Sequence, residues 1–136
     1  MPETAIRQVR WSVAPNFYTA DIVAAANDYR DILGFQYDRF FGDPPAFCMP
    51  HRGGVVFMLR QAARPEDVRP NRLVDPEGEA WDAYVWVDDA DALCAELRGK
   101  GAKIVREPCD QPYGCRDFDV EDLNGYRICF GQPTRA

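Results

Sequence analysis

Few side chains in this sequence are equipped for chemistry, and they are scattered along it. The 136 residues hold one histidine, His51, and five cysteines: Cys48, Cys94, Cys109, Cys115 and Cys129. His51 lies in a His51-Arg52-Gly53-Gly54 cluster that reads as a turn. No spacing joins it to a serine or cysteine nucleophile. The cysteines form an odd set without a C-x-x-C pair, so they read as reduced thiols of a cytoplasmic protein. The spacing of Cys109 and Cys115 permits a disulfide, which that compartment disfavours. Cys129 alternates with Arg127 in the run Arg127-Ile128-Cys129-Phe130. It is either a thiol activated by a neighbouring cation or, as free cysteine usually is, a small buried apolar residue. Without a nearby histidine the second reading carries more weight. In Asp82-Ala83-Tyr84-Val85-Trp86, alternation puts a carboxylate and two aromatic rings on one face of a strand. No glycine-rich loop is built to cradle phosphate.

The elements that position these groups occur in two matching sets. Ser12 to Tyr18 is expected to be a strand, with Pro15 at its start or on a sheet edge. Asp21 caps a helix from Ile22 to Leu33, whose apolar face is Ile22, Ala25, Ala26, Tyr29 and Leu33, and Gly34 ends it. Strands are expected over Phe35 to Phe41, Ala46 to Pro50 and Gly54 to Arg60, separated by turns. Residues 61–80 carry Pro65, Pro70 and Pro76 among many charges and read as a connector, with a short helix near Pro65 to Val68. The grammar then repeats. A strand covers Trp81 to Val87. Asp89 starts a helix with Leu93, Leu97 and either Ala90 or Cys94 inward, ending near Gly101. A short strand spans Lys103 to Glu107, and a Pro/Gly loop spans Pro108 to Gly114. Cys115 to Val120 and Tyr126 to Phe130 form a hairpin around Asn124-Gly125, a pair suited to a turn with positive φ at both residues.

The fold class is therefore α+β: two βαβββ modules, at 1–60 and 81–136, joined by the connector 61–80 and forming a curled mixed sheet around a cleft. Residues 1–10 read as a polar lead-in, without a signal-peptide pattern. The length suits one structural domain with a sizeable core. A net charge of −6 argues against nucleic acid as a partner and mildly favours neutral or cationic ligands. No apolar run is long enough to span a membrane.

Pro15-Asn16-Phe17-Tyr18-Thr19-Ala20-Asp21 and Leu33-Gly34-Phe35, followed by Val87-Asp88-Asp89-Ala90-Asp91-Ala92 and Asp122-Leu123-Asn124-Gly125-Tyr126-Arg127-Ile128, resemble the two modules of the vicinal oxygen chelate superfamily. That superfamily includes glyoxalase I, extradiol dioxygenases, and fosfomycin and bleomycin resistance proteins. The resemblance spans Ser12 to Gln132 and implies a homodimer. In the metal-dependent members, four cleft-facing positions carry His, Glu or Gln. Here they fall on Ala14, Met58, Asp82 and Cys129, a set that departs from the pattern at every place. Ala14 has no donor and a thioether is a poor ligand for hard ions, so neither a metal nor another cofactor is expected.

The resemblance also turns Asn16 and Tyr18, with Met58, Asp82, Tyr84, Trp86 and Cys129, toward the cleft. The tyrosines and Trp86 can stack on a flat or cationic ligand, with Asp82 as charge partner or, alternatively, in a salt bridge with Arg60 or Arg127. Phe40, Phe41 and Phe47 are placed at the rim or a subunit contact, with a mobile flap over Asp43 to Pro50. The expectation is a metal-free small-molecule-binding protein resembling bleomycin resistance proteins, more a binder than a catalyst. The alternative is a metal-dependent lyase, isomerase or dioxygenase of the same superfamily with an unusual metal site.

Overall fold

The structure, a computed structural model, describes residues 9–78 and 80–134; the expected lead-in lies, through residue 8, outside them. The first half contains β1 (Asn16–Thr19), α1 (Ile22–Asp31), β2 (Phe40–Phe41), β3 (Phe47–Cys48), β4 (His51–Arg52), β5 (Val55–Val56) and β6 (Met58–Gln61). The second contains β7 (Ala83–Trp86), α2 (Ala90–Gly99), β8 (Lys103–Gln111), β9 (Cys115–Glu121) and β10 (Arg127–Pro133). Two four-stranded mixed sheets result, ordered β1-β6-β3-β2 and β7-β10-β9-β8, with β4 and β5 as a separate hairpin. In each sheet the first strand lies parallel to the last one of its half. No described helix is long and apolar enough to cross a membrane.

Both helix starts follow the sequence chemistry. The Asp21 carboxylate accepts from the backbone N–H groups of Val23 and Ala24, and Asp89 accepts from Ala92. Each fills donors that a helix start leaves unpaired. Ala90 and Cys94 both face inward with Leu97, so the two alternatives for the second helix hold together. A 3-10 turn at Pro65–Asp67 stands where the short connector helix was expected, and a second covers Asn71–Leu73.

Four details differ from the sequence expectation. The first strand begins only at Asn16, and Trp11 and Val13 before it are exposed. The stretch from Phe35 is not one strand: Gln36 bridges to His51, so the supposed His51 turn is itself paired. The expected loop from Pro108 is part of β8, a continuous edge strand with register shifts between Ile104 and Cys109. An edge tolerates proline because one row of its donors has no partner strand to serve. Finally, Asn124 does not have positive φ; Gly125 alone does, at 85°. The Gly125 N–H donates to the Asp122 carbonyl at 3.0 Å and the Asp122 N–H to the Tyr126 carbonyl at 2.9 Å. That pattern is a type I turn followed by a left-handed glycine, the other common way to close a hairpin.

One apolar core serves both halves. Phe17, Tyr29, Phe57 and Leu59 join Leu97, Phe118, Val120, Ile128 and Phe130 in a single buried cluster. The halves meet at two seams. At one, the β9–β10 turn presses on α1 and β1. The Phe17 and Tyr126 rings stack with centroids 4.1 Å apart, and the Tyr126 hydroxyl donates to the Tyr18 carbonyl at 2.6 Å. The buried Asp122 carboxyl accepts from the Tyr29 hydroxyl at 2.7 Å and from the N–H groups of Asn124 and Tyr126 at 2.9 Å. At the other seam, Arg52 of β4 donates two hydrogen bonds to Glu96 of α2, at 2.7 and 2.8 Å. Against some loss of solvation, which raises it, Arg52 with Lys100 also close holds the Glu96 carboxyl down at about 2.

Burial outweighs the three donors at Asp122 and pushes its carboxyl up to about 7. A carboxyl raised in the folded state contributes stability that is complete below its unfolded value and is lost as pH rises through 7. Tyr29→Phe removes the donor that favours the carboxylate, so its cost, on the order of 1–3 kcal/mol for a buried acceptor losing its partner, should be greater at pH 8 than at pH 5. Urea unfolding at the two pH values measures it; equal costs would contradict the assignment.

Candidate functional site

The faces of the two sheets that turn away from the helices carry the polar and aromatic residues. In the first sheet β1 alternates exposed and buried positions, with Asn16 and Tyr18 outward. Met58 lies beside Asn16 in register, and Arg60 beside Tyr18. The Arg60 Nε donates to Asn16 Oδ1 at 3.2 Å, and its guanidinium sits over the Phe47 ring at 4.6 Å. Asn16 and Tyr18 line a recess of about 410 Å³ with Asp82, Asp67, Arg69 and Tyr126.

Asp82 has a different task from the one expected. Its Oδ1 accepts from the Asn71 N–H and its Oδ2 from the Arg127 N–H, both at 2.8 Å. The carboxylate thereby ties the connector and the start of β10 to the segment just before β7. The salt bridge expected with the side chain of Arg60 or Arg127 is not what holds it.

The second sheet carries the denser cluster. On its outward face Cys129 of β10 pairs with Asp119 of β9 and Tyr84 of β7, while Gly131 pairs with Asp117 and Trp86. Asp117 and Asp119 are fully buried. Arg106 of β8 lies between them, with Nη2 2.6 Å from Asp117 Oδ1 and 2.9 Å from Asp119 Oδ1. The hydroxyls of Tyr84 and Tyr113 both donate to Asp117 Oδ2, Tyr84 at 2.9 Å. Burial opposes ionisation of Asp117, but these donors together outweigh it and hold the carboxyl below the usual range. Burial also opposes the charge on Arg106, and its two carboxylate partners more than restore it. Burying such an ion pair is offset only when its members are fully hydrogen-bonded, as here.

Cys129 lies beneath this cluster with no exposure. Burial, then the carboxylates of Asp119 and Asp117, push its thiol far up, and the nearest cation is Arg106 at 3.7 Å, not Arg127. A thiol held protonated and sealed from solvent is no nucleophile. All five cysteines are free, so the Cys109–Cys115 disulfide is not formed.

Over the cluster stand four aromatic rings, Trp81, Tyr84, Trp86 and Tyr113, which alone line a recess of about 290 Å³. Trp81 and Tyr84 meet at 5.0 Å between centroids and 63°, Tyr84 and Trp86 at 4.7 Å and 56°, and Trp81 and Tyr113 at 6.5 Å and 77°. Trp86 is 63% exposed, so the recess is open to solvent. The predicted residues are thus divided: Asn16, Tyr18 and Asp82 border one recess, Tyr84 and Trp86 another, with Cys129 sealed below the second. Reading the sequence missed Trp81, Tyr113, Arg106, Asp117 and Asp119. The alternation Asp117-Phe118-Asp119-Val120 held a usable signal, since it puts both carboxylates on the face of Cys129. Tyr113 gave none, because its segment reads as an undefined Pro/Gly loop.

The family model described as glyoxalase/bleomycin resistance protein/dioxygenase superfamily matches residues 12–130. The chain belongs to this superfamily. Among solved structures, TioX from Micromonospora sp. ML1 is similar at 23% identity and a TM-score of 0.70, over 91% of this chain and 99% of that one. A bleomycin resistance determinant encoded on transposon Tn5 is similar at 16% identity and a TM-score of 0.69, over 93% and 100%. A glyoxalase-related enzyme from Clostridium phytofermentans is similar at 15% identity and a TM-score of 0.71, over 93% and 97%. These likenesses establish the shared fold. No curated protein matches the chain significantly.

The metal of the metal-dependent superfamily members does not suit the residues found here. Ala14 and Met58 offer no hard donor, each oxygen of Asp82 already accepts from a backbone N–H group, and Cys129 is kept as a thiol. Among the described residues no three His, Cys, Asp or Glu side chains gather as ligands. Hard divalent ions need several oxygen donors, and zinc sites of this kind need at least three protein ligands.

Gly131 sets the position of Tyr84. A Cβ at Gly131 would run into the Tyr84 hydroxyl and ring. The phenol therefore lies over bare backbone and reaches Asp117, the cross-strand partner of Gly131. Gly131→Ala should push Tyr84 off Asp117, cost about 1–3 kcal/mol as overpacking does, and change the fluorescence of Trp81 and Trp86. An unchanged spectrum and stability would show that the ring is not held this way.

Proposed function

We propose that the protein binds a small aromatic or cationic molecule in the recess of Trp81, Tyr84, Trp86 and Tyr113, and holds it without altering it. The observation that carries this reading is the grouping of the four rings over a buried acidic cluster. Aromatic faces supply contact area with little loss of side-chain freedom, and they attract cations. The donor set at the four superfamily ligand positions argues in the same direction, since it does not suit a metal. The reading includes a cytoplasmic homodimer, in keeping with the free cysteines and with the exposed Trp11 and Val13 side chains. The likeness to the Tn5 bleomycin resistance determinant supports binding as a role for this fold.

A titration followed by tryptophan fluorescence against a panel of basic aromatic compounds tests the proposal. At least one should quench the protein, and Trp86→Ala should weaken that compound by about 10-fold or more, the loss of one good ring contact. Trp86 is mostly exposed, so its removal should leave the fold intact. A variant that binds every compound as the parent does would end this reading. Elemental analysis of protein purified without chelator separates it from the enzyme alternative. No stoichiometric divalent ion is expected; one that is lost on Asp82→Ala would favour a metal-dependent enzyme instead.

A further inference from the structure

The four rings stand at steep angles to one another, between 56° and 77° for the measured pairs. They form walls around a space, not parallel plates, and so suit a rounded group better than a flat one. The wall is made of carbon: the Tyr84 and Tyr113 hydroxyls point away to Asp117, and no other residue lines the recess. A primary ammonium or guanidinium entering it keeps water on its open side, but the N–H donors turned toward the rings find no acceptor there. A cation without N–H groups pays no such cost.

The charge behind the rings favours a cation. Two buried carboxylates, Asp117 and Asp119, face one guanidinium, Arg106, which leaves one net negative charge under the floor. Arg127 on the same face lies 3.6 Å from Glu121, a carboxylate it shares with Lys103 and Arg72, and it forms no ion pair with Asp117 or Asp119. Hydrogen bonds from the two phenols to Asp117 enrich both rings in electrons, which strengthens their hold on a cation above them.

We infer that the recess is a cage for a fully alkylated ammonium group, such as a trimethylammonium head, carried by the small molecule that the protein binds. The inference rests on the binding role proposed above and names the part of the ligand that enters the rings.

Three soluble probes separate the terms: choline, its neutral isostere of equal size 3,3-dimethylbutan-1-ol, and ethanolamine, which has the same alcohol chain with N–H donors in place of the methyl groups. Binding to the full-length protein is read by tryptophan fluorescence and ligand-detected NMR, with sedimentation to follow the oligomeric state. Choline should bind about 10-fold more tightly than either of the others. Trp86→Ala should abolish that preference, and Trp86→Phe should keep part of it. Equal binding of the neutral isostere would overturn the role of charge, and equal binding of ethanolamine would overturn the selection against N–H donors. If no probe binds while a panel compound still depends on Trp86, the cage fails and the binding role stands; if neither binds, both fall. If Trp86→Ala dissociates a dimer and leaves choline affinity unchanged, the face is a subunit contact and the inference is overturned.

Discussion

The two halves of this chain share one buried core, and the β9–β10 turn joins them where it seats against α1 and β1. Asp122 is its pivot. One carboxyl oxygen accepts from two backbone N–H groups and shapes the turn; the other accepts from Tyr29 in the opposite half. Phe17 and Tyr126 then stack across the same seam. A buried carboxyl is costly unless every acceptor finds a donor, so the geometry of the turn and the docking of the two halves constrain each other. Arg52 and Glu96 repeat the arrangement at the second seam, with β4 of the first half on the helix of the second.

With the helix-facing surfaces joined in one core, the opposite sheet faces are left for other work. The two are not equivalent. The first pairs Arg60 with Asn16 and Phe47, an exposed and adaptable arrangement. The second buries two carboxylates and a guanidinium, then covers them with rings. That order matters: the phenols of Tyr84 and Tyr113 satisfy Asp117 while they build the recess, so the cluster fixes the rings and the rings shield the cluster. Gly131 makes the arrangement possible by leaving the Tyr84 ring room over the backbone.

Within its superfamily the chain keeps the scaffold and changes the content of the site. At the positions that the resemblance assigns to metal ligands stand Ala14, Met58, Asp82 with two backbone donors on its carboxylate, and the buried thiol of Cys129. A fold fixes where side chains can converge but not which chemistry they perform. The cation of the second sheet's outward face is Arg106, held by Asp117 and Asp119. The outcome is a set of aromatic rings open to solvent over an ion-pair cluster one layer below.

The sequence by itself determined the two-module plan, the helix caps at Asp21 and Asp89, and the strand parity around Cys129. These depend on local periodicity, capping chemistry and residue type, which operate over a few neighbouring residues. The strands of the first half were less legible, because two-residue elements such as β2 and β3 are defined by their partners more than by their own pattern. Only the tertiary structure decided that Asp82 serves the backbone, that Pro108 lies within an edge strand, and that Arg106 from a predicted strand and Tyr113 from a predicted loop meet at Asp117. Each depends on hydrogen bonds between segments distant in sequence, and local spacing carries no record of which donor will reach which acceptor once the core has closed.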